Sequence, residues 1–140
     1  MLIGSELLAE MVAHAREDAP NECCGVVAVQ RDASRRAVAI HRARNAAASP
    51  LRFEIDGLEV LRIIESIEDG GLELGGIYHS HTRTAPYPSQ TDINFAAGWP
   101  GVEWVIIGLA ERERPQLRSY LIDGAQVEEV PLDEVGEGSA

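Results

Sequence analysis

Apolar runs at strand spacing, broken up by amphipathic helical segments, are the feature that most limits the folds open to this chain. Ser5 to about Asp18 carries apolar residues at helical spacing, and Pro20 stops the predicted helix. Asp56 and Glu59 have the spacing of a capping box that opens a second helix, which ends at Asp69-Gly70-Gly71. Strands are predicted at Gly25–Gln30, Ala37–Arg44, Leu74–His81, Val102–Leu109, Gln116–Ile122 and Gln126–Val130. This order predicts an α/β fold, in which one mixed sheet has helices packed on its faces.

The length of 140 residues and the hydrophobic fraction of 45% predict one domain with its own core. We find no internal repeat or linker, and we place the domain at residues 1–132 with a flexible acidic tail at 133–140. Cys23 and Cys24 are adjacent and cannot cross-link distant segments, which indicates a reducing compartment. With no secretory signal or membrane-spanning run apparent, the expected protein is soluble and cytoplasmic.

The charge balance restricts the partners. The chain has 12 arginines, no lysine and 23 acidic residues, giving a formal charge of −11. Because binding to nucleic acid or to an anionic membrane depends on a clustered basic surface, neither is an expected partner.

A metal site is indicated by His79-Ser80-His81 at the end of a predicted strand. Residues i and i+2 of a strand point to the same face, so the two imidazoles lie side by side. Asp92 follows a proline-containing loop and would return on the first turn of a short helix that begins near Ser89. Two histidines and one carboxylate are a normal ligand set for catalytic zinc, which keeps a fourth position for water.

Each of these pieces also has a structural interpretation. With four histidines in the chain, a His-x-His pair can arise by chance. Ser89 and Asp92 have the spacing of a helix-capping box, and Glu22 lies in a loop where a solvated glutamate is common. The residues predicted to be structural are Cys23, Cys24, His14 and His41.

Taken together, Glu22-x-x-Gly25 and His79-x-His81-x(7)-Ser89-x-x-Asp92 resemble the signature of the JAMM (MPN+) metalloprotease family. The resemblance extends over nearly the whole chain and is strongest to the compact bacterial and actinobacterial branch. It implies an MPN domain, with a mostly antiparallel sheet and a cytidine-deaminase-like architecture.

The resemblance also implies the roles of the site residues. One zinc ion would be held by His79, His81 and Asp92. Glu22 would act as the general base, and Ser89 would donate to the developing oxyanion.

The same resemblance implies the substrate class. JAMM peptidases cleave amide or isopeptide bonds after the Gly-Gly tail of ubiquitin-like proteins, and the branch includes peptidases that release cysteine from a sulfur-carrier protein. Thr82 and Tyr87, on the loop Thr82–Pro88, are predicted to contact the substrate. The expected partner is a small sulfur carrier that bears either cysteine or a C-terminal extension.

Two other functions remain open from the sequence. One is a non-catalytic MPN scaffold that only binds partner proteins. The other is a DNA-repair-associated relative with a related metal motif, which fits poorly with the net charge of −11.

Overall fold

The structure, a computed structural model, describes residues 1–111 and 113–135. Its elements in chain order are β1 (Leu2–Gly4), α1 (Ser5–Asp18), β2 (Cys24–Gln30), β3 (Ala37–Ala43), α2 (Gly57–Asp69), β4 (Leu72–His81), α3 (Gln90–Ala96), β5 (Glu103–Gly108), β6 (Gln116–Asp123), β7 (Gln126–Val130) and β8 (Asp133–Val135). In this part of the chain, no helix is long and apolar enough to cross a bilayer.

The main sheet of the described residues has six strands in the order β3-β2-β4-β5-β6-β7. Only β4 and β5 pair in parallel, whereas the other neighbours are antiparallel. The predicted mixed and mostly antiparallel sheet is therefore confirmed. Because β4 and β5 run in the same direction, the loops that follow them meet at one edge of the sheet.

The helices cover opposite faces of this sheet, as predicted. Helix α1 contributes Met11 and Ala15 to a core on one face. Helix α2 contributes Ile63 and Ile67 to the core on the other face, where α3 also packs through Ala96. From Gly75 to His81, β4 is buried between these layers, which explains why apolar residues directly precede its histidines.

The second helix begins with only half of the predicted capping box. The Asp56 side chain accepts hydrogen bonds from the backbone N–H groups of Leu58 and Glu59. The Glu59 carboxylate does not return to the N-cap and instead accepts from the N–H of Arg44, 3.0 Å away. A tertiary contact with the end of β3 therefore replaces the local one. After the helix, Gly71 adopts a φ of 76°, which suits a glycine in the turn into β4.

The predicted start of the tail at residue 133 is wrong. Asp133–Val135 form strand β8 and pair in parallel with Leu2–Gly4 of β1. Acidic composition suggested a frayed end, but a short paired strand is held by its backbone hydrogen bonds and can expose its carboxylates. Strand β1 was not predicted either, because it is only three residues long. The remaining residues of the expected tail, 136–140, lie outside the described part.

Candidate metal centre

Two histidines at the carboxyl end of β4 point to the same face of the sheet, as strand geometry requires. His79 is fully buried and stacks on Phe53, with ring centroids 4.6 Å apart. His81 Nδ1 lies 2.9 Å from the carbonyl oxygen of Ala85. Because a carbonyl can only accept, His81 donates to Ala85 from Nδ1, and its Nε2 faces the centre.

Asp92, on helix α3, lies beside the two histidines. Its Oδ2 lies 3.1 Å from His79 Nε2 and 3.2 Å from His81 Nε2, and the two Nε2 atoms are 3.2 Å apart. The same Oδ2 accepts a hydrogen bond of 2.9 Å from Ser89 N, while Ser89 Oγ accepts from Asp92 N at 3.1 Å. The capping box is therefore confirmed, and it is also what orients Asp92 toward the histidines.

Glu22 reaches the same place from the loop before β2, and its interpretation as a solvated loop glutamate is wrong. The side chain is buried, and Oε1 has no hydrogen-bond partner among the described residues. The ligand atoms of Glu22, His79 and His81 all lie within 4.8 Å of one another. Burial raises the pKa of the Glu22 carboxyl to about 7, although the positive field of His81 opposes the shift.

The ionisation of the other three side chains reflects their contacts. Burial lowers the pKa of His79. Burial opposes ionisation of Asp92, but the hydrogen bonds from His79 and His81 outweigh it and hold the pKa of this carboxyl below its usual value. Burial also works against protonation of His81, yet its bonds to Asp92 and Ala85 leave the pKa of His81 raised.

The donor set of this centre fits a divalent zinc ion. Two imidazole nitrogens and one carboxylate oxygen converge within 3.2 Å of each other. Catalytic zinc is usually bound by three protein ligands of this kind, neutral imidazoles and a carboxylate, and its fourth position stays open. The buried and unpaired Oε1 of Glu22 adjoins this set without belonging to the closest three.

Asn45 is a residue of this region that sequence reasoning missed. Its Nδ2 donates to the carbonyl oxygens of Glu22 and Arg52, each 3.0 Å away. Its Oδ1 accepts from the N–H groups of Ala47 and Glu54, also at 3.0 Å. One buried amide thus ties the loop after β3 to the backbone of Glu22. The only sequence signal was a single asparagine at the start of a loop of small residues.

The two predicted substrate contacts lie on the loop that follows His81. Thr82 Oγ1 donates to the carbonyl oxygen of Pro20 across 3.3 Å, which links this loop to the segment before Glu22. Tyr87 is 56% exposed and meets Tyr120 edge to face, with ring centroids 5.6 Å apart. The loop packs closely on β5, because the ring of Pro86 lies where a side chain at Gly108 would be.

The residues predicted to be structural are in the core or away from the centre. Cys23 and Cys24 are fully buried free thiols, and burial raises the pKa of each to about 12. His14 is buried on the opposite face of the sheet, where its Nδ1 lies 2.7 Å from the hydroxyl of Tyr78. His41 lies on β3 and is only partly buried.

Comparison with known proteins shows that the chain matches a family model and is similar to two named peptidases. A family model described as prokaryotic homologs of the JAB domain matches residues 4–123. The chain is 39% identical over 130 residues to a CysO-cysteine peptidase of Mycobacterium tuberculosis (strain ATCC 25618 / H37Rv), covering 92% of this chain and 88% of that protein. It is 43% identical over 101 residues to a desampylase of Haloferax volcanii, covering 69% of this chain and 71% of that protein.

Solved structures agree with the fold. A protein of Desulfitobacterium hafniense, DSY2949, superposes with a TM-score of 0.85 at 31% identity, over 97% of this chain and 92% of that chain. A structure described as a JAMM metalloprotease-like zinc site in the proteasome and signalosome superposes with a TM-score of 0.60 at 18% identity, over 96% and 97%. The second likeness bears on the fold alone, and both confirm the predicted fold class.

Proposed function

This chain belongs to the family of prokaryotic homologs of the JAB domain, and we propose that it is a zinc-dependent peptidase acting on a small ubiquitin-like sulfur carrier. The bond it hydrolyses is the amide that follows the carrier's C-terminal Gly-Gly. The observation that carries this proposal is the convergence of His79, His81 and Asp92 within 3.2 Å beside the buried carboxylate of Glu22. The relatives named as a CysO-cysteine peptidase and a desampylase support the reaction and the substrate class.

We assign His79, His81 and Asp92 as the ligands of one zinc ion. When bound, zinc supplies Lewis-acid chemistry, which makes water acidic enough to act as a nucleophile near neutral pH. The protein's part is to fix the three donors, and it does so through the ring stack on Phe53, the Ala85 carbonyl and the Ser89 cap. Contacts of this kind orient metal ligands and raise their affinity.

Glu22 is the group that moves the proton. Its carboxylate takes a proton from the attacking water and delivers it to the leaving nitrogen as the amide C–N bond breaks. The carbonyl carbon keeps the hydroxyl group, so that one water is consumed for each carboxylate and amine formed. The unpaired Oε1 supports this role, because no hydrogen bond within the described residues holds that oxygen away from a substrate.

Ser89 has a hydroxyl that can serve the same reaction. Its oxygen already accepts from Asp92 N, which leaves its proton available for donation to the oxyanion that develops on the carbonyl oxygen. Loss of one such donor costs about 3 kcal/mol of transition-state stabilisation. The loop Thr82–Pro88 would form one wall of the cleft, and the exposed ring of Tyr87 offers a surface for an extended diglycine tail.

We place the protein in the cytoplasm. Cys23 and Cys24 are both free thiols, which is the state that a reducing compartment maintains.

The proposal is tested by metal analysis combined with cleavage. The purified chain is offered zinc, and its metal content is measured by atomic emission. It is then incubated with diglycine-ended carriers of its own genome that bear either cysteine or a C-terminal extension, and the products are weighed by mass spectrometry. We expect one zinc ion per chain, and a carrier that ends in Gly-Gly as the product of cleavage. A well-folded preparation without stoichiometric zinc, or one that cleaves none of the carriers, would leave the scaffold function instead.

A further inference from the structure

The side chain of Glu22 enters the metal centre with no hydrogen bond to its Oε1 from any residue that the structure describes. A catalytic group keeps its place only if packing or hydrogen bonds around it hold that place. Since Oε1 is not held directly, the position of this carboxylate depends on the backbone that carries it. The contacts that fix the Glu22 backbone therefore decide where the proposed general base lies.

The loop of residues 45–54, between β3 and α2, binds both backbone groups of Glu22. The N–H of Glu22 donates to the carbonyl oxygen of Ser49 at 2.9 Å. The carbonyl oxygen of Glu22 accepts from Nδ2 of Asn45 at 3.0 Å. Glu22 is thus fixed on both sides of its α-carbon by one loop, although that loop lies more than 20 residues later in the chain.

Asn45 is also the residue that closes this loop. Its Nδ2 donates to the carbonyl oxygen of Arg52, and its Oδ1 accepts from the N–H groups of Ala47 and Glu54, each at 3.0 Å. A side-chain amide has two N–H donors and one oxygen with two lone pairs, so these bonds and the bond to Glu22 use its full capacity. Aspartate has no N–H donor and leucine has neither group, so neither side chain can replace it.

The same loop carries the ring that packs on a proposed zinc ligand. Phe53 stacks on His79, with ring centroids 4.6 Å apart. The Asn45 amide bonds to the backbone on both sides of Phe53, at residues 52 and 54. One buried amide therefore fixes the backbone of Glu22 relative to the ring that contacts His79.

We propose that Asn45 is a positioning residue for this reaction, and that its amide determines where the Glu22 carboxylate lies relative to the three proposed zinc ligands. Asn45 acts through the backbone of Glu22, and its amide is used entirely by the loop and by that backbone. This inference rests on the proposed peptidase function and adds to it a residue outside the sequence signature.

The test uses two variants of this one side chain. Asn45→Ala removes all four bonds. Asn45→Asp removes the N–H donors but keeps an acceptor for the two N–H groups that close the loop, so it supplies the measurement if Asn45→Ala does not fold. Each variant is loaded with zinc, its metal content is measured by atomic emission, and kcat and KM are determined on the diglycine-ended carrier that the wild type cleaves fastest.

In both variants kcat should fall about ten- to hundredfold, because a small displacement of a catalytic group costs rate. KM should change by less than about twofold, and the metal content should stay at one zinc per chain, because neither substitution removes a ligand or a residue of the loop Thr82–Pro88. A wild-type kcat in both variants would overturn the positioning role.

Two further measurements separate positioning from a general loss of stability. In a Glu22→Gln background, Asn45→Ala should lower kcat no further, because the group through which Asn45 acts is already absent. In Asn45→Ala alone, the backbone amide of Glu22 should exchange its hydrogen faster relative to the amides of β2, as followed by nuclear magnetic resonance. An equal fall of kcat in the Glu22→Gln background, or an unchanged relative exchange rate, would overturn the proposal.

The matched control is Ser119→Ala. Ser119 is also buried, and its Oγ donates to Glu103 Oε1 at 3.0 Å, but it lies on β6 and outside the metal centre. This variant should lose stability and keep the wild-type kcat. Any result that overturns the role of Asn45 leaves the peptidase function intact, whereas a zinc-loaded wild type that cleaves no carrier would reject the peptidase function itself.

Discussion

Glu22 and His81 lie in one buried centre, but the proposal gives them different tasks, and single substitutions should separate the two. Glu22→Gln keeps the shape of the side chain and all three proposed ligands, so it should bind zinc as the wild type does. Turnover should fall by about a hundredfold or more, the contribution of a positioned general base. His81→Ala removes a ligand and should lose both the metal and the activity.

Both variants are checked by metal analysis and by the rate of carrier cleavage. Circular dichroism provides the control for folding, since each substituted side chain is buried. Loss of zinc from Glu22→Gln would show that Glu22 is itself a ligand. That result would exchange the roles of Glu22 and Asp92, because both carboxylates adjoin the two histidines.

The two cysteines should be chemically silent in the folded protein. Cys23 and Cys24 are fully buried, and burial raises the pKa of both thiols to about 12. A thiol-specific chromogenic reagent at pH 8 should therefore label neither cysteine in the native protein and both in denaturant. Fast labelling of either thiol under native conditions would contradict the buried position.

The same thiols should make the folded protein less stable at alkaline pH. Their folded pKa of about 12 lies above the unfolded value of about 8.5, so the neutral thiols favour the folded state. This contribution is complete below about pH 8.5 and is lost as the pH rises toward 12. Urea midpoints should fall over that interval, and they should fall less in Cys23→Ala than in the wild type.

At the scale of the elements, the contact between β2 and β4 explains the glycine of the Glu22-x-x-Gly25 pattern. A Cβ at Gly25 would lie 2.3 Å from ring atoms of Tyr78, the residue that it pairs with on β4. The ring is held in place by its hydrogen bond to His14 on α1. Gly25 is therefore needed for close packing, and Tyr78 connects β2, β4 and α1.

Gly25→Ala should accordingly destabilise the protein by about 1–3 kcal/mol, the usual cost of overpacking a dense core. Chemical denaturation measures this change. Tyr78→Leu removes the ring that clashes, so the double variant should lose less stability than the sum of the two single variants. Strict additivity would mean that the two residues are not in contact. Gly70→Ala is a suitable control, because its Cβ would meet nothing closer than 3.5 Å.

The sequence predicted the elements that have a sustained hydrophobic pattern, and it failed to predict features that depend on a tertiary contact. Helix α1 and strand β7 begin and end at the predicted residues. The histidine pair and the Ser89 cap could also be placed, because strand alternation and capping are local rules. The partner of Glu59 is the backbone of Arg44, and Asn45 donates to the backbone of Glu22, which lies 23 residues earlier, so neither contact could be found from local spacing.

For the molecule as a whole, β8 and β1 form a small second sheet that joins the two ends of the described chain. Truncation after Pro131 removes β8 and leaves the backbone of β1 without its partner. Because Ile3 of β1 is fully buried in the α1 core, the truncated protein should melt several degrees lower, about the effect of 1 kcal/mol in a domain of this size.

Activity at a temperature well below melting should survive this truncation, since no residue of the metal centre lies on β1 or β8. Removal of residues 136–140 alone provides the control and should leave β8 paired. Differential scanning calorimetry and carrier cleavage check the two expectations together. An unchanged melting temperature after loss of β8 would show that the small sheet adds nothing to stability.

Strand β4 presents His79 and His81 to one face of the sheet. On the other face, the hydroxyl of Tyr78 bonds to His14 of α1, and that of Ser80 accepts from the backbone N–H of Cys23. A slip of one residue in its pairing would exchange the faces, moving the imidazoles toward α1 and the tyrosine toward the cleft. The register of this one strand thus determines both the packing of the core and the position of the ligands. A misregistered chain loses its core packing and its chemistry in the same event, so partly correct molecules do not persist as weak or indiscriminate hydrolases.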